Sequence, residues 1–284
     1  MTKYHALAVV TKYWKPGENY VNGIIDALEK RVADGDFVVV SEKALSTALN
    51  NITDENRISP RFSAKLICRL WMRIVWGYFL GELCHFGKRL LRRLREYPLE
   101  VGSRHKQVAL QQAGVLQALM WGSEGGIDGS NLPFSYVSLP LSNPYGLAEE
   151  IRQQIWRKLK KKVYILIVDT DKTYSFRNFY FTPRPKPMKG IHSFGGVATY
   201  LIGRIFKFKR RPTPLAVAGG TLQAEKALKI ANIADRARGP GSGATVWDMA
   251  ARFNVTVTGM SWGMLSQITH KPIVIVRKKV MYKK

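Results

Sequence analysis

The sequence is poor in cysteine, in acidic residues and in uninterrupted apolar runs, and each shortage narrows what the chain can be. Two cysteines in 284 residues, Cys68 and Cys84, cannot build a disulfide framework. Neither sits in a CxxC spacing and both have apolar neighbours, the pattern of buried thiols in a reducing compartment, with no redox or metal role expected. The first residues, MTKYHALAVVTKYW, hold no apolar core of signal-peptide length, and VRKKVMYKK at the other end holds no lipidation motif, so the expected location is the cytoplasm. The nearest thing to a membrane span, residues 66–86, carries Arg69, Arg73 and Glu82. Each such charge costs roughly 2.5–3.5 kcal/mol at the centre of a bilayer helix, so the stretch reads as a buried or interface helix and no membrane is expected among the partners.

Acidic residues number 20 against 45 Lys and Arg, a formal net charge of +25. Such a field draws in anions and concentrates phosphates, polycarboxylates or nucleic acid wherever a groove focuses it. A generally solvated basic surface is the other reading of the same count.

The chain is long enough for one large domain or two modest ones. ALAVV reads as a strand, ENYVNGIIDALEKRVADG as a helix with Gly35 available to cap it, and DFVVVSEKAL as a buried strand with a polar exit. Residues 59–120 differ: helical, basic and Trp-rich, they look like an inserted block, in which Arg92, Arg93 and Arg95 form a basic helix face. SNPYGLAEEIRQQIWRKLKKK offers Asn143 as N-cap and Pro144 at the first helical position. KVYILIVDTD is a β-branched run with its polar residues at the C-terminal end, followed by a strand in TPLAVAGG, a helix in TLQAEKALKIANIADRAR and a closing strand in PIVIVRKK. The fold class expected is α/β, in its mixed α+β form.

Four segments carry candidate chemistry. GSEGGIDGSNLP (122–133) is a glycine-rich loop that places Asp128 and Asn131 where backbone can approach a ligand, although Asp128 could equally accept a turn hydrogen bond. VDTD (168–171) sets Asp169, Thr170 and Asp171, hard oxygen ligands that suit Mg²⁺ or Mn²⁺, at the end of the most apolar strand. Two acids crowded there repel unless a cation offsets them. The stretch 174–196 interleaves Phe, Tyr, Arg and Lys with three prolines and would suit a planar anionic ligand or single-stranded nucleic acid alike. RARGPGSGAT (236–245) is basic and glycine-rich but is not a Walker loop; a phosphate site and a plain helix cap both fit it.

In this order the segments resemble the coenzyme F(420):L-glutamate ligase family. The likeness runs nearly end to end, through GENYVNGIIDALEKRVADGDFVVVSEKALS, SEGGIDGSNLP with LPLSNPYGLAEEIRQQI, IVDTD and KPIVIVRK. The resemblance implies a two-domain F(420) ligase-like fold with mixed sheets, here one unit over 1–284 with two structural subdomains and the 59–120 block inserted. It implies a homodimer using GTP with Mg²⁺ or Mn²⁺, and K⁺ as a further cation, to join the amine of L-glutamate to a carboxylate of a deazaflavin precursor through an acyl phosphate. It places metal ligands at Asp128, Asp169 and Thr170, with both aspartates catalytic, and nucleotide contacts at Ser41, Glu42, Asn131, Arg238, Gly239, Gly241, Ser242 and Gly243. The chain departs from the family pattern at three places. Ser46 and Thr47 stand where the family has Ser-Lys, Gly239 and Pro240 where it has Gly-Gln, and KTYSFRNF where it has a GRPWR-type segment. Two alternatives stand beside this reading, the same chemistry on another acidic cofactor, and a basic RNA-binding protein using the arginine-rich helix and the aromatic stretch.

Overall fold

The β-branched runs become a sheet, and the way that sheet opens positions the site. The computed structural model describes residues 3–239, 241, 243 and 245–279. β1 (Tyr4–Thr11) leads through α1 (Tyr20–Leu28) to β2 (Phe37–Ser41), buried on both faces, and Glu42 at once opens α2 (Glu42–Ala48). Strand β2 is thus shorter than DFVVVSEKAL suggests: Glu42 and Lys43 already belong to the helix. α1 also stops short of Gly35, which turns the chain into β2 with φ +81° and its N–H on the Lys162 carbonyl.

After β3 (Ile52–Asp54), residues 59–120 are helical as expected. They form α3 (Phe62–Leu66), a π-helical stretch (Ile67–Leu80) running into α4 (Gly81–Leu83), then α5 (Lys88–Arg95), α6 (Leu99–Gln112) and α7 (Val115–Ala118). The glycine-rich loop then reaches β4 (Tyr136–Ser138), antiparallel to β3. In α8 (Pro144–Leu159) the Asn143 side chain accepts from the Gly146 N–H, the cap the sequence announces. The remaining elements are β5 (Tyr164–Phe176), β6 (Phe179–Thr182), β7 (His192–Ser193), α9 (Val197–Ile205), β8 (Lys209–Ala218), α10 (Ala224–Arg238), α11 (Val246–Arg252), α12 (Trp262–Ser266) and β9 (His270–Lys278).

The fold is mixed α/β. Among the described residues seven strands form one sheet in the order β1-β9-β2-β5-β6-β7, with β8 on the other edge of β5. β2 and β5 are parallel, while β9 and β8 run antiparallel to their neighbours. Side chains alternate across the sheet: Val38, Val40, Ile165 and Ile167 pack under α1, α2 and α8, while Phe37, Val39, Leu166 and Val168 pack under α10. Among the described residues no helix is long and apolar enough to cross a membrane.

β5 does not end at VDTD. Its parallel pairing with β2 stops at Ser41 opposite Val168, its pairing with β6 begins at Tyr174, and among the described residues no strand borders 169–173 on that edge. On the other edge the register with β8 slips: Asp169 faces Thr213 but Lys172 faces Pro212, so Thr170 and Asp171 are extra residues in a bulge.

The helical block has its own core, in which Cys68, Met72, Trp76 and Leu94 are fully buried. Burial pushes both thiols up, Cys84 to about 11, so neither is a reactive thiolate. Of the arginines on α5, Arg93 pairs with Asp248 and lies over Trp247, and Arg95 donates to the Gly77 carbonyl and lies over Tyr78. Much of the basic face is therefore committed within the chain. A buried charge cluster ties the block to the glycine-rich loop. Lys106, with no exposed surface, donates to Glu124 and to the Met120 carbonyl at 2.5 Å each, and His105 lies 2.6 Å from Glu55 and 3.2 Å from Glu124.

Burial alone would lower His105, but Glu55 and Glu124 raise it to about 10. Burial would raise Glu124, but Lys106 and His105 bring it to about 2. The histidine's contribution is complete below its ordinary value of 6.5 and is lost as pH climbs through 10. That of Glu124 is complete above 4.5 and is lost as pH falls through 2. The cluster thus predicts a plateau in the urea-unfolding midpoint between 4.5 and 6.5, with a decline on either side. Glu124→Gln, which strands buried Lys106, should cost about 3–5 kcal/mol and flatten both limbs.

Candidate active site

The gap beside β5 is closed by charge. Glu42 follows β2 directly, Arg184 follows β6, and both reach the open edge where Asp169 sits. The Arg184 guanidinium is 3% exposed; its Nε donates to Asp169 Oδ2 at 2.7 Å, its Nη2 to Glu42 Oε1 at 2.6 Å and its Nη1 to the Gly125 carbonyl. Pro183 and Pro185 restrict the backbone on either side of it. Gly126, at φ +95°, lets the loop lie against the guanidinium: a Cβ there would sit 2.3 Å from Arg184 Cζ. Burial pushes Glu42 up to about 7, against the pull of Arg184 and of the Leu141 N–H. Burial alone would lower Arg184, and its two carboxylates overcome that to hold it above the ordinary arginine value.

On the opposite wall the loop turns at Asp128. Its backbone forms a bridge with Ser138, and its Oδ1 accepts the Ser130 N–H at 2.6 Å, so it is a turn acceptor as well as a wall residue. Its Oδ2 accepts from Lys43 Nζ, which also donates to Ser130 Oγ at 2.6 Å and to the Ser130 carbonyl at 3.1 Å. Between the walls, Asp171 is buried and its Oδ2 has no hydrogen-bond partner among the described residues; burial, then Asp169, pushes it well above the ordinary aspartate value.

Both aspartates line one cavity of about 670 Å³, together with Thr170, Asp171 and Lys43. Of the expected nucleotide contacts, Ser41, Asn131, Arg238, Gly239, Gly241 and Gly243 line it too. Glu42 does not; it is spent underneath on Arg184 and the Leu141 N–H. Ser242 and Pro240 lie outside the described residues. Arg238 Nε and Nη2 are shut off from solvent with no hydrogen-bond partner among the described residues, and burial lowers its pKa. An enclosed guanidinium left this way is a strong claim on an anion.

Two residues escaped the sequence reading. Ser46 and Thr47 stand for a family Ser-Lys, which reads as a missing lysine, yet Lys43 brings an ammonium to the cavity one turn earlier. Ser46 is buried on the Leu139 carbonyl, and Thr47 bonds back to the Lys43 carbonyl. The SEK at the end of β2 was the signal for it. Arg184 lay inside the aromatic and basic stretch, whose alternation suggested stacking. Of 174–196 only Tyr174 and Pro183 reach the cavity, so the stretch offers no stacking platform there.

Among the described residues no three His, Cys, Asp or Glu side chains are grouped closely enough to hold a metal by themselves. The donors present fit a looser arrangement. Two or three carboxylates, one with an unpartnered buried oxygen, suit Mg²⁺ or Mn²⁺ when phosphate oxygens and water complete the shell.

Replacing Arg184 by Met should strand Glu42 and Asp169 and cost about 3–5 kcal/mol in urea unfolding at neutral pH. The loss should shrink towards pH 5, because Glu42 without its guanidinium takes up a proton in the folded state; a pH-independent loss would mean that the arginine acts by packing.

The uncharacterized protein MJ1361 of Methanocaldococcus jannaschii is 34% identical to this chain over 290 residues, covering 98% of each. The family model described as "F420-0:Gamma-glutamyl ligase" matches residues 8–212. That span holds the glycine-rich loop, the β5 bulge, Lys43 and Arg184, while α10 and Arg238 lie beyond it. With the two aspartate motifs on one cavity and most of the chain inside the match, the protein belongs to the coenzyme F(420) gamma-glutamyl ligase family.

Proposed function

We propose that this protein is a metal- and GTP-dependent ligase that joins the amine of L-glutamate to a carboxylate of a deazaflavin coenzyme precursor. The observation that carries the reading is the convergence of Asp128 and Asp169 on one cavity that also holds Lys43 and Arg238, whose Nε and Nη2 have no hydrogen-bond partner among the described residues. Family membership supports a ligase of this kind. GTP as the nucleotide, the deazaflavin acceptor and a homodimeric working form come from the family resemblance.

In this reading Arg238, with Gly239, Gly241 and Gly243 beside it, receives phosphate oxygens, and Lys43 adds a point charge while holding Asp128 in place. Asp128, Asp169 and Thr170 are the residues that would hold Mg²⁺ or Mn²⁺. When bound, the cation supplies positive charge beside the transferring phosphoryl group. An acceptor carboxylate oxygen attacks the terminal phosphorus, and the bond to the leaving nucleoside diphosphate breaks. The glutamate amine then attacks the acyl carbon, gives up a proton and displaces phosphate. Every participant is anionic, which agrees with a cation-rich wall and a +25 chain.

With GTP, Mn²⁺, glutamate and the precursor, the wild type should release GDP and phosphate, and Asp128→Asn should lower turnover by about a thousandfold or more. Turnover unchanged in that variant would defeat the assignment. Arg238→Met should raise the nucleotide KM about 10- to 100-fold with a smaller effect on kcat, the loss of one charge-assisted contact.

A further inference from the structure

The helix of residues 62–83 presents an unusual face to solvent. Its π-helical turns bond i to i+5, so residues four and five apart share a side. Ala64, Cys68, Met72 and Trp76 form the fully buried row. The outward row is Phe62, Leu66, Leu70, Ile74 and Tyr78, each 43–78% exposed. An amphipathic surface helix turns polar residues outward; this one turns apolar residues outward and sets exposed Lys65 and Arg69 beside them, followed by half-buried Arg73, whose Nε donates to the Tyr97 carbonyl. At its C-terminal end the Cys84 carbonyl accepts from Arg204 on α9, next to exposed Ile205 and Phe206. Phe206 continues through Phe208 to Phe176, at ring separations of 5.9 and 5.3 Å, among Arg177, Lys207 and Lys209.

We infer that this face docks on an anionic lipid surface, the apolar row entering the headgroup boundary and the basic row pairing with lipid phosphates. Charge selects the occupant. Residues 61–83 hold four Lys or Arg and one acid, Glu82, so a second copy related by a two-fold axis would set cation against cation, whereas an anionic bilayer complements both rows. The docking is peripheral: Arg69 and Arg73 bar a span but sit well at an interface. The inference is independent of the ligase reading.

The test is co-sedimentation of the full chain with phosphatidylglycerol–phosphatidylcholine vesicles and with pure phosphatidylcholine vesicles. Binding to the first alone, weakening steeply with added salt, is the expected result. Leu70→Glu with Ile74→Glu, both exposed positions, should lower binding about tenfold or more with an unchanged circular dichroism spectrum, and Lys65→Gln with Arg69→Gln should lower it and reduce the salt dependence. Failure to bind anionic vesicles, binding that neither double variant changes, or a dimer in solution that Leu70→Glu with Ile74→Glu splits would each overturn the inference.

Discussion

One buried guanidinium holds the site together. Arg184 ties the residue after β2, the bulge in β5 and the carbonyl of a loop from the far side of the helical block into one contact set. A neutral side chain there would leave two carboxylates facing each other out of reach of water, a cost of several kcal/mol per ion. The same contact explains the economy of acids. Of 20 acidic residues, Glu42, Asp128, Asp169 and Asp171 are gathered at or beneath one cavity, and the cations nearest them, Arg184 and Lys43, are fewer. The cavity lining also carries Lys172, Arg204, Arg210, Arg238 and Lys271 against Asp235, so a cluster of carboxylates is framed by cations, a setting that favours a small cation with an anionic ligand over either alone.

The architecture rests on a sheet that is left incomplete at one place. β2 ends early, β6 begins late, and the stretch of β5 between them faces side chains instead of a strand. The helical block supplies another side of the cavity through His85, Phe86, Leu90 and Met120, so residues 59–120 belong to the site as much as to the periphery. The buried Glu124–Lys106 pair fixes that block against the loop bearing Asp128.

Much of this was legible in the sequence wherever one local pattern decided the outcome. The Asn143–Pro144 start of α8, the β-branched run of β5 and the buried cysteines each follow from a single short-range rule. Asp128 and Asp169 were legible because their motifs kept family order. The features that stayed hidden depend on contacts between distant segments. VDTD looks like a strand end because polar residues interrupt an apolar run, yet the chain stays extended because β8 and then β6 pair with the later residues of β5. Arg184 resembles any exposed arginine until Glu42 and Asp169 are brought beside it, and Lys43 is one helical turn away from where the resemblance looks for it.

The bulge at Thr170 and Asp171 acts as a phase setter for the whole strand. Successive side chains of a strand point to opposite sides, so removing a single residue between Val168 and Lys172 would invert every side chain downstream of the cut. Thr173 and Tyr174, both now fully buried, would exchange faces, and the hairpin to β6 that delivers Arg184 would meet the sheet out of step. Length at this point is therefore as constrained as chemistry, because the face each later side chain presents depends on the residue count.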